Sequence, residues 1–191
     1  MDDIVKAALA KWPNVPDCHG WLGLDARGDW YMRDDRCQRA GPFAHQPGDE
    51  RPPSKGSRLL HDKLIAFIGR NYASDADGQW FFQNGPQRVY VELQATPWIW
   101  RLEPDGSVCS HTGLPAGPVQ RCLQDEAGHL YLRTPLGLGL VHTSDMVLAA
   151  DRVEHGDWEP EDVQRSDLPS LGGFVSSPLQ RLQAMMPQPS T

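Results

Sequence analysis

The side chains able to do chemistry in this 191-residue chain are scattered rather than gathered into a motif. Cys109-x-His111 is the nearest approach to a metal-binding pair. Structural zinc sites usually draw four ligands from two paired clusters. Here Cys18-His19 would have to supply the second pair, and adjacent residues rarely chelate together, so no metal is expected. Four cysteines and seven histidines leave room for a Cys–His nucleophile pair, yet nothing local singles one out. There is no GxSxG elbow, no P-loop and no GxGxxG; Gly137-Leu-Gly139 is too short a match and lacks the helix that should follow. No catalytic residue and no cofactor is therefore assigned.

The most distinctive polar grouping is Arg70, Asn71 and Tyr72 at a helix exit, with Asn84, Gln87 and Arg88 at a hairpin. Charge, amides and an aromatic ring together suit an acidic or polar ligand. The same residues also have purely structural roles open to them. Arg70 and Asn71 are placed to cap the helix, and Asn84 to form its turn.

The elements that position this grouping lie between Leu59 and Leu102. A helix over about 59–71 is expected, with Leu60, Leu64, Phe67 and Ile68 on one stripe and Ser57 as N-cap. Asn84-Gly85 marks a hairpin between Trp80–Gln83 and the alternating run Gln87–Leu93. Trp98–Leu102 reads as a further strand of the same meander, with Trp80, Trp98 and Trp100 in the core. Before this stretch, residues 3–12 form a short helix stopped by Pro13, residues 20–33 a hairpin about Asp25–Gly28, and residues 40–58 a long surface loop. After it, hairpin-like runs flank Asp125–Gly128, a short strand follows Pro135, and Ser144 caps a helical turn through Ala150. From Gly156 onward Pro, Ser and acidic residues predominate. A mostly disordered tail is expected there, with Trp158, Phe174, Leu179 and Leu182 as transient anchors.

One pattern recurs. Asp25-x-x-Gly28, Asp75-x-x-Gly78 and Asp125-x-x-Gly128 each precede a short aromatic or apolar strand, with the aspartates fifty residues apart. Two readings stand: a common hairpin chemistry spaced evenly by chance, or a duplicated hairpin unit packed with pseudo-symmetry. Aspartates in turns bond their own backbone, so the three are not expected to converge for acid–base work.

Composition narrows the partners. The net charge of −7 argues against nucleic acid, which is held mainly by Lys and Arg, and against an anionic membrane surface. The acidic opening Met1-Asp2-Asp3 and the Lys6 interruption do not make a signal peptide, and no apolar run approaches the ~18 residues of a membrane span. Four unpaired-looking cysteines fit a reducing compartment, so the cytoplasm is the expected location.

The segment LIAFIGRNYASDADGQWFFQNGPQRVYVELQATPWIWRL, flanked by GWLGLDARGDWYMRDDRCQRAGPF and GLGLVHTSDM, resembles the signature of a proteobacterial family of cytosolic proteins of unknown function. The likeness spans about residues 20–150 and implies a bacterial origin, without an activity. Gly28-Asp-Trp30, Leu64–Phe67, Asp75–Phe82 and Val89–Trp98 are also similar, in order, to a second bacterial family of unknown function. Its members are similar to small α+β proteins with repeated strand motifs, discussed as signalling modules. Gln83–Arg88 replaces that family's threonine-proline-valine-glutamate segment.

The expectation is an α+β fold: a mainly antiparallel sheet packed on one central helix at about 59–71, a second smaller β lobe and a disordered tail. The expected parts are an N-terminal helix and linker over 1–19, the helix and meander over 20–104, the β lobe over 105–155 and the tail over 156–191. The leading function is a non-enzymatic cytosolic binding or regulatory module for an unknown protein or a small polar ligand. The alternatives are a small enzyme with an inter-lobe cleft and an assembly protein docking through its tail.

Overall fold

A computed structural model describes residues 1–45 and 50–186. The chain is α+β and divides into two compact units, residues 1–25, 29–94 and 175–191 forming the first and residues 26–28 and 95–174 the second. The middle of the expected loop, residues 46–49, and residues 187–191 lie outside the described residues.

Unit 1 opens with α1 (Asp3–Lys11), β1 (Cys18–Leu24), β2 (Trp30–Met32), α2 (Asp35–Ala40) and β3 (Ser57–Arg58). It continues with α3 (Asp62–Arg70), β4 (Tyr72–Ser74), β5 (Trp80–Asn84) and β6 (Gln87–Leu93). These strands form one sheet in the order β3-β2-β1-β6-β5-β4. Only β1 and β6 run parallel. Ile68 of α3 is buried and the ring of Phe67 meets Phe82 edge-on at 5.5 Å. Leu64 is half-buried, whereas Leu60 is 77% exposed and precedes the helix. His61, not Ser57, is the N-cap, its Nδ1 accepting from the Leu64 amide at 3.3 Å. Ser57 and Arg58 are instead drawn into β3 by pairing with Met32 and Tyr31, a long-range contact that helical spacing does not report.

The expected loop over 40–58 is tied down by a buried cation. The Arg33 guanidinium is 1% exposed and donates to the carbonyls of Gly20 (3.2 Å), Gly41 (2.6 Å) and Ser54 (3.1 Å). Three carbonyl acceptors offset the cost of removing that charge from water.

Unit 2 contains β7 (Trp98–Leu102), β8 (Val108–Ser110), β9 (Arg121–Gln124), β10 (Leu130–Thr134) and β11 (Gly137–Val141). It ends with α4 (Met146–Glu154), β12 (Pro160–Asp162) and α5 (Leu168–Gly172). Its sheet runs β12-β9-β10-β11-β7-β8, with β11 parallel to β7 and β12 parallel to β9. Thus Trp98–Leu102 does not continue the first meander, and the boundary falls after Gln94 rather than after residue 104. Two buried indoles explain the change. Trp98 donates Nε1–H to the Leu136 carbonyl and Trp100 to that of Leu132, both at 2.8 Å. Gly139 makes room for them, because a Cβ there would sit 2.4 Å from Trp100 Nε1. Trp80 stays in unit 1, half-buried.

Both units share one plan. An antiparallel hairpin (β1–β2, β7–β8) is followed by a three-stranded meander (β4–β5–β6, β9–β10–β11). The meander's last strand then pairs in parallel with the hairpin's first. Among the described residues the same turn form begins at Asp25, Asp75, Glu103, Ser110 and Asp125. In each, the first residue's amide bonds the carbonyl four residues on at 2.8–3.0 Å, and the fourth residue is a glycine at φ between 76° and 86°. By place in the plan, Asp25 corresponds to Glu103 and Asp75 to Asp125. The even spacing of the first two aspartates is therefore not the period of the architecture.

Beyond Gly156 the described residues, through Met186, form further elements of the fold. Pro160–Asp162 joins the sheet beside β9, and Leu168 and Phe174 are buried in unit 2. The chain then returns to unit 1 as α6 (Pro178–Met185). There the Leu93 amide bonds the Ser176 carbonyl at 2.8 Å. The buried Glu92 carboxylate accepts from the Ser177 hydroxyl and, at 3.0 Å, from the Leu179 amide. Burial pushes the Glu92 carboxyl above its ordinary range, and these two donors oppose the shift. The tail's low apolar content concealed this seat, because a polar segment was anchored by polar groups.

Ser177 also caps α6 by accepting from the Gln180 amide at 3.2 Å. Ser177→Ala is expected to destabilise the protein by about 1 kcal/mol in urea unfolding. Amide exchange in residues 178–185 should quicken selectively; unchanged exchange would show that α6 is held elsewhere.

Candidate functional site

The six residues singled out from sequence fall into three settings. Arg70 and Asn71 hold the N-terminal segment. Arg70 bonds both Asp2 carboxylate oxygens at 3.2–3.3 Å, and the Asp2 amide donates to Asn71 Oδ1 at 2.7 Å. Asn71 is 1% exposed and its Nδ2 donates to the Phe67 carbonyl at 2.9 Å, closing α3. Gln87 binds the same segment through the Pro16 carbonyl at 2.9 Å. Asn84 and Gln87 face each other at the ends of the β5–β6 hairpin. Tyr72 is buried with its ring edge-on to Trp30, and Arg88 lies over the Phe81 ring at 4.7 Å. The structure thus brings Arg70 and Asn71 together around Asp2 and leaves Tyr72 inside the core.

The turn aspartates do not converge either. Asp75 accepts from the amides of Asp77 and Gln79 and from the Tyr90 hydroxyl at 2.9–3.0 Å. Asp125 accepts from the amides of Ala127 and His129 and from the Tyr131 hydroxyl at 2.8–3.0 Å. Each carboxylate locks its own turn to a tyrosine. Contrary to the usual outward aspect of turn aspartates, Asp25 and Asp125 are buried, at 3% and 5% exposure. Among the described residues, no three His, Cys, Asp or Glu side chains are grouped to hold a metal ion. Burial raises the thiols of Cys18, Cys109 and Cys122, the last to about 11, so these three hold their protons at neutral pH.

A groove in unit 2, which sequence reasoning passed over, is built around Trp158. Helix α4 ends at Glu154, and Gly156 turns the chain at φ 78°. The amides of Asp157 and Trp158 then both bond the Arg152 carbonyl, at 2.9 and 3.3 Å. The Arg152 side chain secures the same turn by pairing with Asp157 at 2.9 Å. This folds Trp158 back, half-buried, beside the β7–β8 turn. Gly106 in that turn is the second close approach: its φ is 86°, and a Cβ would run into the Arg152 guanidinium.

Three adjoining depressions of about 480, 520 and 350 Å³ share Asp157 and Trp158. Their apolar lining includes Leu102, Val108, Pro115, Pro118 and Val119. Arg121 pairs with Glu161 at 2.6 Å at the far end. Glu103, Asp151 and Glu159 also line the groove, and these carboxylates have no ion-pair partner among the described residues. The volumes fall in the range of ligand pockets, and the open depressions combine one indole and several prolines with many charged side chains. The signal in sequence was Gly156-Asp-Trp158 after a helix, where a glycine stop precedes an aromatic.

The fold and groove define an α+β protein of two mixed six-stranded sheets with a candidate binding surface on the second. The chain belongs to the family DUF2944, described as "Protein of unknown function (DUF2946)", whose model matches residues 1–184. No match is found among curated proteins. Among solved structures, the chain is similar to a DUF1285 family protein from Silicibacter pomeroyi DSS-3, at 14% identity over 75% of this chain and 74% of that one, with a TM-score of 0.46. It is also similar to a DUF1285 family protein from Shewanella baltica OS155, at 15% identity over 73% of this chain and 97% of that one, with a TM-score of 0.45. No helix among the described residues is long and apolar enough to cross a membrane.

One buried histidine gives unit 2 a pH dependence. His111 accepts from the Ile99 amide through Nδ1 at 3.3 Å, and burial pushes its imidazole down to about 3. Exposed in the unfolded chain, it titrates near 6.5. Between these values the unfolded state binds more protons, so stability falls as pH falls. From pH 6.5 to 4.5 this group is expected to lower the unfolding free energy by up to about 1.4 kcal/mol per pH unit. Urea titrations across that window should show a shallower slope for His111→Gln; an identical slope would place the sensitivity elsewhere.

Proposed function

We propose that this protein is a non-catalytic, cytoplasmic recognition module of bacterial origin, and that the groove around Trp158 is its binding surface. The observation that carries the reading is the groove itself: three adjoining depressions around one half-buried indole whose position is set by backbone and side-chain bonds from Arg152. A pre-formed surface loses little conformational freedom on binding, and tryptophans supply a large share of binding energy at such surfaces. The raised thiols of Cys18, Cys109 and Cys122 also argue against a thiolate nucleophile at any of these three positions. On this reading Arg70, Asn71 and Gln87 seat the N-terminal segment, Asn84 shapes the hairpin, and Tyr72 and Arg88 serve packing in unit 1.

The test is selection of a fully randomised peptide library on the full-length protein, with counter-measurement on Trp158→Ala. Wild type is expected to enrich ligands that lose at least tenfold in affinity with Trp158→Ala while the melting temperature stays within a few degrees. Failure to enrich any ligand, or ligands indifferent to the substitution, would overturn the proposal.

A further inference from the structure

We infer that the groove takes an extended, basic peptide segment, with lysine or arginine side chains set among Glu103, Asp151 and Glu159 and proline or aliphatic residues against Trp158. The inference rests on the groove being the binding surface and goes on to name what fits it.

Charge is the first argument. Two arginines enter the groove, and each is already matched: Arg152 by Asp157 at 2.9 Å and Arg121 by Glu161 at 2.6 Å. Glu103, Asp151 and Glu159 are left with no ion-pair partner among the described residues. The lining is therefore acidic in excess, as is the chain at −7. An anionic ligand would be repelled by Glu103, Asp151 and Glu159, of which Glu103 already feels the charge of Arg101, whereas a cationic one pairs with them. A lysine or arginine passing over Trp158 gains further from the negative face of the indole.

Shape is the second. The space is three depressions strung past one indole rather than one enclosed cavity, which suits a chain several residues long. Backbone pairing to the nearby strand is already taken up. The Ser110 amide bonds the Leu114 carbonyl at 2.8 Å, and the Ala116 amide bonds the Val108 carbonyl at 2.9 Å, so residues 114–116 cover the outer edge of β8. A ligand cannot add there as another strand and must be held by its side chains. Polyproline II conformation meets that requirement, since it makes no internal hydrogen bonds and loses little entropy on docking against an aromatic and proline surface.

The experiment uses the full-length protein and three synthetic peptides on one framework: acetyl-PRPPRPPR-amide, the same peptide with Gln in place of Arg, and the same with Glu. Binding is measured by titration calorimetry at two salt concentrations. The Arg peptide is expected to bind at least tenfold tighter than the Gln peptide, to weaken at higher salt, and to lose that advantage in the triple variant Glu103→Gln, Asp151→Asn, Glu159→Gln. These three side chains hold no ion pair, so the variant is expected to melt within a few degrees of wild type. Equal or tighter binding of the Gln or Glu peptide, still sensitive to Trp158→Ala, would overturn the charge assignment and leave the groove as a binding surface. Binding of the Arg peptide unaffected by Trp158→Ala would overturn both. Binding of none of the three would overturn the basic-peptide assignment, with the library selection deciding separately whether the groove binds at all.

Discussion

In both units the sheet is joined by two strands that run the same way. Leu22 and Leu24 lie beside Val91 and Leu93 in unit 1, and Ile99 lies beside Leu140 in unit 2. All six are at most 3% exposed. The hairpin's second strand and the meander's first lie on opposite sides of that parallel pair, so each unit must carry a long connection between hairpin and meander. In unit 1 that connection holds α2, β3 and α3. In unit 2 it is the irregular stretch between β8 and β9, which covers the β8 edge and lends Pro115 and Pro118 to the groove.

A strand covered on both faces leaves no place for a charge unless something comes to meet it. Glu92 sits in such a strand, between Val91 and Leu93, and α6 meets it with a hydroxyl and an amide. Arg33 is the converse case, a buried cation met by three carbonyls from separate segments. In unit 2, Asp145 is buried against Arg101 at 2.6 Å and the Leu102 amide at 3.1 Å. Burial raises its carboxyl, but those partners outweigh the effect and hold it below the usual range. These groups order segments whose composition alone reads as loop or tail.

The groove shows the same separation between local signal and outcome. Each residue of the Arg152–Trp158 turn lies within a few positions of the others, so the turn is locally encoded by Gly156. What it faces is not: Gly106, Pro115 and Val119 come from other strands and connections. A tryptophan in an acidic, proline-containing stretch reads as an isolated anchor until those partners are in place. Arg70 and Asn71, by contrast, are conspicuous in the sequence, but their partner Asp2 lies 68 and 69 residues away, beyond the reach of spacing arguments.

The amino-acid sequence by itself determined what depends on neighbours a few residues apart: the α3 stripe at Phe67 and Ile68, the Asn84-Gly85 hairpin, the acidic-x-x-Gly turns and the α+β class. These rest on backbone geometry and on hydrophobic period, which are local properties. Only the tertiary structure decided that Trp98–Leu102 belongs with β11, that the tail returns to seat α6 on Glu92, and that Trp158 lines a groove. Each of those outcomes turns on which distant carbonyl, carboxylate or apolar face a residue finds when water is excluded, and no pattern along the chain carries that information.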